Sequence, residues 1–460
     1  MNPTDRARRI ADVARAVRIS RTLARQERLP RPELAALQRR RLDQLVDHAV
    51  AHSPFYRERI GAGASRALEA LPVLDKATLS ERFDEIVCDP RLRRDAILAQ
   101  LESSDRGGEL PDGHRAMASS GSTGRKSLFV YDRDGWATIC AQFLRFNDWC
   151  GTTPRVPRLK VAAVVGGAPT HMSRRVAATL GVGLHRILPL AVTMPIPEIV
   201  ARLNAFQPQV LATYPSMAML LVEEQQAGRL RLALTAMSTS SELCTPEMAR
   251  AMEDAFGVVP ADLYATTEGL WGATCGRGAG HHLFEDVALV ENVDADGQPV
   301  PPGERGARLL VTNLANRVQP LIRLEISDVA TVDPDPCPCG RTLLRVRGIE
   351  GRSEDVLRLP GRYGRVTVHP MQFSLVTDDR HVREFQVVQQ GGALRLRLAV
   401  RDGADATGTA ERVHARLVER LTSLGVSEPA VEVELCERLA RTSGGKLQMV
   451  VADRGAPTAT

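Results

Sequence analysis

Lysine is nearly missing from this sequence. Of the 60 lysine and arginine side chains in the 460-residue chain, four are lysines: Lys76, Lys126, Lys160 and Lys446. A bias this strong towards arginine marks the surviving ammonium groups as places where a compact point charge serves better than a planar fork. Long apolar runs are missing too: none approaches the roughly 20 residues needed to cross a bilayer, so no membrane partner is expected. The N-terminal stretch MNPTDRARRIADVARAVRISR is basic and amphipathic but lacks the apolar core and small-residue cleavage site of a secretion signal, which makes a cytoplasmic location the expectation. Eight cysteines scattered through so long a chain do not make a disulfide framework. The arginine-rich stretch RTLARQERLPRPELAALQRRR has no interleaved aromatics, and a net charge of +5 is small for this length. Both read as a solvated helix surface, so no nucleic acid is expected. There is no internal repeat, no low-complexity segment and no legible Ser/His/Asp arrangement.

What is present is an ordinary soluble composition, with 43% hydrophobic and 25% charged residues. At roughly 100–200 residues per domain, the length predicts two to four domains. Residues 5–52 read as helical, interrupted by Pro30 and Pro32 and ended at Ser53-Pro54. From 159 to 290, short apolar runs alternate with amphipathic segments: LKVAAVVGG, SRRVAATLGV, HRILPL, IPEIVARLNAF, QVLATYP, SMAMLLVEEQQAG, LALTAMS, TPEMARAMEDAFG and ADLYATT. Alternation of this kind predicts parallel strands with crossover helices. Beyond 286 the pattern becomes β-rich, through VALVENVD, ARLLVTNL and LIRLEISDVATV. The last hundred residues predict a hairpin (EFQVVQQGGALRLRLAVRD), a helix (TAERVHARLVERLTSLG) and a strand (AVEVELCE), a small α+β domain joined near 350–358.

The sharpest local signal is Ser119-Ser120-Gly121-Ser122-Thr123-Gly124-Arg125-Lys126-Ser127. Hydroxyl residues interleaved with glycines let a loop fold backbone N–H groups and hydroxyls around phosphate oxygens. Arg125 after the second glycine separates it from the P-loop of nucleotide triphosphatases. The loop resembles the phosphate loop of the AMP-forming adenylation superfamily, in its phenylacetate–CoA ligase-like branch. The resemblance recurs in order along most of the chain. It includes LDQLVDHAVAHSPFYRERI, ALPVLDKATLSERF, LATYPSMAMLL, STSSELCTPEMARAMEDAFG, YATTEG, ISDVATV, CPCGR, GRSEDVL and RTSGGKLQMVVADR.

The resemblance implies an α/β fold. A large N-terminal adenylation domain (1–353), with mostly parallel sheets and a β-rich subdomain, would carry a small mobile α+β C-terminal domain (354–460). It implies ATP-dependent, AMP-forming activation of a carboxylic acid, aromatic by family. Ser119, Ser120, Gly121, Ser122, Thr123, Gly124 and Lys126 would hold phosphates, with Arg125 competing for the cationic role. Ser241, Glu242, Tyr264 and Thr267 fall in the nucleotide pocket; Tyr264 would stack on adenine. Asp328 and Arg352 would bind ribose, and Glu268 would hold Mg²⁺, a hard cation suited to carboxylate. Thr123, Glu268 and Lys446 would be catalytic, with Lys446 bridging the carboxylate and the α-phosphate. Glu354 would be the hinge on which the small domain turns.

In thioester-forming relatives the hinge motif continues with a Gly-Val-Asn-Val-Phe-Pro-like stretch, where this chain has LPGRYGRVTVHP. The expected acceptor is the CoA thiol, with an amine or other nitrogen or oxygen nucleophile, or a carrier-protein thiol, as the alternative that the altered hinge stretch keeps open, and a homodimer is also open. A silent nucleotide-binding scaffold is the reading outside enzymes, opposed by Glu268, Asp328, Arg352 and Lys446 occurring together. In some relatives Cys and His at corresponding places form a structural zinc site. Here Cys275, His282, Cys337 and Cys339 would form a closed Cys₃His set, with His281 competing for the nitrogen position.

Overall fold

A computed structural model describes residues 3–61, 65–103, 110–118, 127–166, 172–192, 194–278, 280–352, 357–362, 364–368, 372–373, 375–376, 379, 381–441 and 447–452. Pro30 and Pro32 divide the N-terminal helical stretch as their lack of an N–H requires, into Pro3–Gln26 and Arg31–His52. Ser53 ends the second helix and caps the next, Pro54–Ile60, by accepting the Tyr56 amide on its Oγ at 3.3 Å. Leu34, Leu42, Leu45 and Val46 lie on the buried face of Arg31–His52 and share one core with Phe55, Tyr56, Trp136, Trp271 and Phe284.

That core contains a charged joint. Arg145, from the helix Arg133–Trp149, and Asp286 are both buried, with Arg145 Nη1 3.0 Å from Asp286 Oδ1 and the guanidinium 4.7 Å above the Phe284 ring. The Asp286 carbonyl accepts Arg41, and Glu285 takes Arg31, Gln38 Nε2 at 3.0 Å and the Leu344 amide at 2.6 Å. Residues 284–286 thus join the N-terminal helices to the central sheet.

Among the described residues that sheet has nine strands. In spatial order they are Asp328–Val332, Arg345–Arg352, His281–Leu283, Trp271–Ala273, Ala261–Ala265, Ala236–Ser240, Val210–Thr213, Lys160–Val165 and Arg186–Ala191. The last five in this order pair in parallel, as the alternation predicts, and the first four add on antiparallel. Two boundaries differ from the sequence reading. The strand expected at LALTAMS begins only at Ala236, because Gln225 holds both the amide and the carbonyl of Leu232 in a loop. LIRLEISDVATV breaks at Ser327: Leu324–Ile326 pairs with Arg308–Asn313 in a three-stranded sheet, and Asp328–Val332 pairs with Arg345–Arg352 in the large one. Both pieces bury apolar residues at close to alternate positions, Leu324 and Ile326 in one and Val329, Ala330 and Val332 in the other, so periodicity could not reveal the change of sheet.

Residues from Leu357 onward build their own core, with Leu357, Phe373, Leu396, Leu398, Leu417 and Leu421 at its centre. The hairpin Val382–Gln390 and Ala393–Val400 is flanked by Val431–Leu435 and Val450–Val451, and the helix Ala406–Ser423 buries Val413, Leu417 and Leu421. Among the described residues no helix is long and apolar enough to cross a membrane.

Candidate functional site

Parallel strands deliver their C-terminal ends to one edge of the sheet, where open α/β folds place ligands. Ala236–Ser240 runs beside Ala261–Ala265, with Ser240 in register with Leu263. Ser241-Glu242 and the turn from Thr266 to Gly269 therefore leave the sheet side by side. Ser241 has a left-handed backbone, φ +72°. Tyr264 is half-buried against the cluster containing Leu270, Leu283 and Val346.

The turn is held by groups from distant parts of the chain. The Gly269 amide donates to the Thr266 carbonyl at 3.2 Å, and the Thr266 amide to the Leu270 carbonyl at 3.0 Å. The Tyr131 hydroxyl donates to the Thr267 carbonyl at 2.6 Å, and Asn313 Nδ2 to the Glu268 carbonyl at 2.9 Å. Asn313 is fixed in turn, because its Oδ1 accepts the Ala315 and Asn316 amides at 3.0 and 3.1 Å. Burial, and next the nearby Glu268 charge, push the Tyr131 phenol well above its ordinary pKa, so it remains a donor. The Glu268 side chain is buried, with Oε1 3.7 Å from Lys76 Nζ.

Asp328 and Arg352 face each other in register on adjacent strands, which brings the two expected ribose-binding positions together. Glu242 accepts the Ser216 amide on Oε2 at 3.0 Å and the Leu447 amide on Oε1 at 2.8 Å. Arg115–Ala118 and Leu128–Tyr131 pair antiparallel on either side of the Ser/Thr/Gly loop. Ser119, Ser120, Gly121, Ser122, Thr123, Gly124, Arg125 and Lys126 lie outside the described residues, as do the hinge position Glu354 and Lys446.

The cysteine set converges. Ligand atoms of Cys275, His282, Cys337 and Cys339 all lie within 4.8 Å of one another. Cys275 Sγ is 3.6 Å from Cys337 Sγ, and Cys339 Sγ is 3.4 Å from His282 Nε2. His282 Nδ1 lies 3.1 Å from the Leu343 carbonyl; a proton there leaves Nε2 with its lone pair towards the sulfurs. His281 turns away, its Nε2 2.8 Å from Asp262 Oδ2. Trp149 meets the His282 ring edge-on at 5.9 Å, and Arg341 stacks 3.9 Å from the Trp149 ring, covering the group. Burial pushes the Cys337 thiol up to about 11. Cys275 and Cys339 sit below the ordinary thiol range: burial opposes this but is outweighed, by the Arg277 amide and the Cys337 thiol for Cys275, and by the Arg341 amide and Cys337 for Cys339.

Sequence reasoning missed Tyr131, Asn313 and the Lys76–Glu268 contact. Lysine scarcity flags Lys76 as a residue to examine; Tyr131 and Asn313 are single polar groups at the ends of apolar strands and leave no pattern.

No family model matches the chain. It is similar to the phenylacetate–coenzyme A ligase of Thermus thermophilus, 28% identical over 366 residues that cover 76% of each chain. The enzyme of that name from Escherichia coli is likewise 28% identical over 366 residues, covering 74% of this chain and 75% of the relative. Among solved structures, a 2-hydroxyisobutyryl-CoA ligase in complex with 2-HIB-AMP superposes with a TM-score of 0.74 at 23% identity, covering 94% of this chain and 92% of the other. A benzoate CoA ligase from Burkholderia xenovorans shares the fold at a TM-score of 0.52 and 18% identity, over 75% and 69% of the two chains. Relatives matched over three quarters of the chain and a fold shared almost end to end agree with the ordered motifs: this chain is similar to the AMP-forming adenylation superfamily, in its phenylacetate–CoA ligase-like branch.

Proposed function

We propose that this chain activates an organic carboxylic acid with ATP as its acyl-adenylate and passes the acyl group to the thiol of CoA. Kinship with phenylacetate ligases favours an aromatic acid, and the relatives named above, all CoA ligases, favour CoA over an amine or a carrier protein. The observation that supports the reading best is the convergence of Ser241, Tyr264, Thr267 and a buried Glu268 at one edge of the central sheet.

In the first half-reaction the acid's carboxylate oxygen attacks the α-phosphorus of ATP, the bond to the β-phosphate oxygen breaks, and pyrophosphate leaves. Ser119, Ser120, Gly121, Ser122, Thr123, Gly124 and Lys126 hold the phosphates, and Lys446 spreads the charge that gathers on the α-phosphate. Tyr264 carries adenine, and Asp328 with Arg352 takes the ribose. Glu268 would hold Mg²⁺, which when bound neutralises charge on the departing pyrophosphate; Lys76 fits this, because it balances the buried carboxylate with a mobile cation rather than a fixed fork. In the second half-reaction the CoA sulfur attacks the acyl carbon, its proton passes to solvent, and AMP departs. Residues 1–353 form the adenylation domain and 354–460 the domain that turns at Glu354 between the two steps.

The cysteine group fits a structural Zn²⁺. A tetrahedral ion with bonds of about 2.3 Å to sulfur and 2.0 Å to nitrogen spaces two sulfurs about 3.8 Å and a sulfur–nitrogen pair about 3.5 Å apart. The corresponding distances here are 3.6 and 3.4 Å. Cys275, His282, Cys337 and Cys339 would fill all four positions, so such an ion would tie the segment carrying Cys275 and His282 to 337–339 and would have a structural role.

The test is exchange of labelled pyrophosphate into ATP over a panel of aromatic acids, with and without Mg²⁺. Acid-stimulated, Mg²⁺-dependent exchange is expected, and CoA should outrun amines in consuming the adenylate. Lys446→Ala should abolish exchange yet spare transfer from synthetic acyl-AMP to CoA. A protein that binds ATP while no acid elicits exchange or AMP release would be a scaffold.

A further inference from the structure

The two oxygens of Glu242 serve two different domains. Oε2 accepts the amide of Ser216, in the first turn of the helix Pro215–Gln226 of the large domain. Oε1 accepts the amide of Leu447, which belongs to the small domain and follows Lys446 in sequence. A carboxylate suits this place, because the helix N-terminus offers unpaired N–H groups and a positive potential. Among the described residues the same helix makes two more polar contacts with the small domain. Ser216 Oγ accepts Arg441 Nη1 at 2.8 Å while the other arm of Arg441 pairs with Glu384, and Glu223 Oε1 lies 3.6 Å from Arg401 Nε. Of the three contacts, only the one through Glu242 reaches from the strand end beside the Tyr264–Glu268 turn to a residue adjoining Lys446. Ser216, Leu447 and Glu384 are buried and Glu242 is half-buried, so these bonds are partly shielded from water, which strengthens a charged acceptor's hold on its donor.

We propose that Glu242 is a positioning residue and not a nucleotide ligand: it latches the small domain, through the Leu447 N–H, in the arrangement that serves adenylation. This rests on the reading that Lys446 acts at the α-phosphate. Opening the latch frees the small domain to turn for the second half-reaction, so the same carboxylate favours one step and restrains the other. Glu242→Gln keeps the shape but replaces one acceptor oxygen with an amide donor, so it cannot accept both N–H groups; Glu242→Ala removes both acceptors.

Three measurements on the full-length enzyme test this. Acid-dependent pyrophosphate exchange should fall about 10- to 100-fold in both variants, the scale of one charge-assisted bond. ATP affinity measured by calorimetry should stay within about twofold, and transfer from synthetic acyl-AMP to CoA should be unchanged or faster. X-ray scattering should show the variants more extended than the wild type, whatever the catalytic result. Weakened ATP binding with unchanged scattering would make Glu242 a nucleotide ligand and overturn the proposal. Equal loss of both half-reactions together with thermal stability would make it a fold residue and overturn the proposal as well. Wild-type protein without exchange would overturn the activity, while the scattering comparison still decides the latch.

Discussion

Gly269 is the place where one methyl group should do the most damage to the candidate site. Its φ is +99°, and a Cβ there would lie 2.2 Å from Asn313 Nδ2 and 3.1 Å from the Tyr131 hydroxyl. Those are the two atoms that hold the carbonyls of Glu268 and Thr267. Gly269→Ala therefore strains the backbone, at roughly 1–2 kcal/mol. It also drives Asn313 off the Glu268 carbonyl and leaves a buried acceptor unpaired, at about 1–3 kcal/mol. Together these give about 2–5 kcal/mol, which for a domain of about 350 residues, unfolding with ~0.7 kcal/mol/K of entropy, lowers Tm by about 3–7 °C. The catalytic loss should be larger in proportion, since moving the Glu268 carboxylate by about 1 Å costs on the order of 100-fold in rate. Pyrophosphate exchange and thermal unfolding, measured on the same preparation, give both numbers. In an Asn313→Ala background the 2.2 Å clash is gone and only the 3.1 Å approach to the Tyr131 hydroxyl is left, so Gly269→Ala should there cost little beyond the backbone part. The reasoning fails if Gly269→Ala retains more than half of the exchange rate, or costs as much in the Asn313→Ala background as in the wild type.

Purified without chelator, the protein should carry about one equivalent of zinc by elemental analysis, and Cys337→Ala should lose the metal and Tm while turnover per folded molecule is kept. After chelation at pH 7, iodoacetamide mapping by mass spectrometry should label Cys275 and Cys339 first. Cys88, Cys150 and Cys244, each pushed up to about 12 by burial, should stay unlabelled; early labelling of these three would contradict the burial seen here. Arg145→Met alone should destabilise by about 3–5 kcal/mol because it strands the buried Asp286 carboxylate, whereas Arg145→Met with Asp286→Leu should recover most of the loss in denaturant unfolding. Lys76→Met should lower the Mg²⁺ concentration for half-maximal exchange, since the ion would no longer compete with an ammonium 3.7 Å from Glu268.

The sequence reading reached the parts of this molecule that repeat a period. The helix Ile196–Phe206 and the strand Val210–Thr213 follow from apolar spacing alone, with Pro30 and Pro32 equally plain as helix breaks. The four side chains that could hold a metal were named from residue type, but setting His281 aside needed the Asp262 contact that occupies it. Glu242 shows the opposite limit. Its motif suggests the nucleotide pocket, yet its oxygens are taken by Ser216 and a residue 205 positions away, a pairing that no local pattern encodes. The Tyr131–Asn313 clamp is hidden for the same reason: each is one polar side chain whose meaning depends on a distant carbonyl.

The joint at residues 284–286 also sets a timetable for the nascent chain. Arg31 and Glu285 are 254 residues apart, and Arg41 and Asp286 are 245 apart. At about 5–20 residues per second of synthesis, the helix Arg31–His52 leaves the ribosome roughly 12–50 s before the acidic groups that seat it exist. Throughout that interval its apolar face of Leu34, Leu42, Leu45 and Val46 has no sheet to lie against. The exposed arginines Arg39 and Arg40 keep the waiting segment soluble, so they act before the enzyme has a fold as well as after.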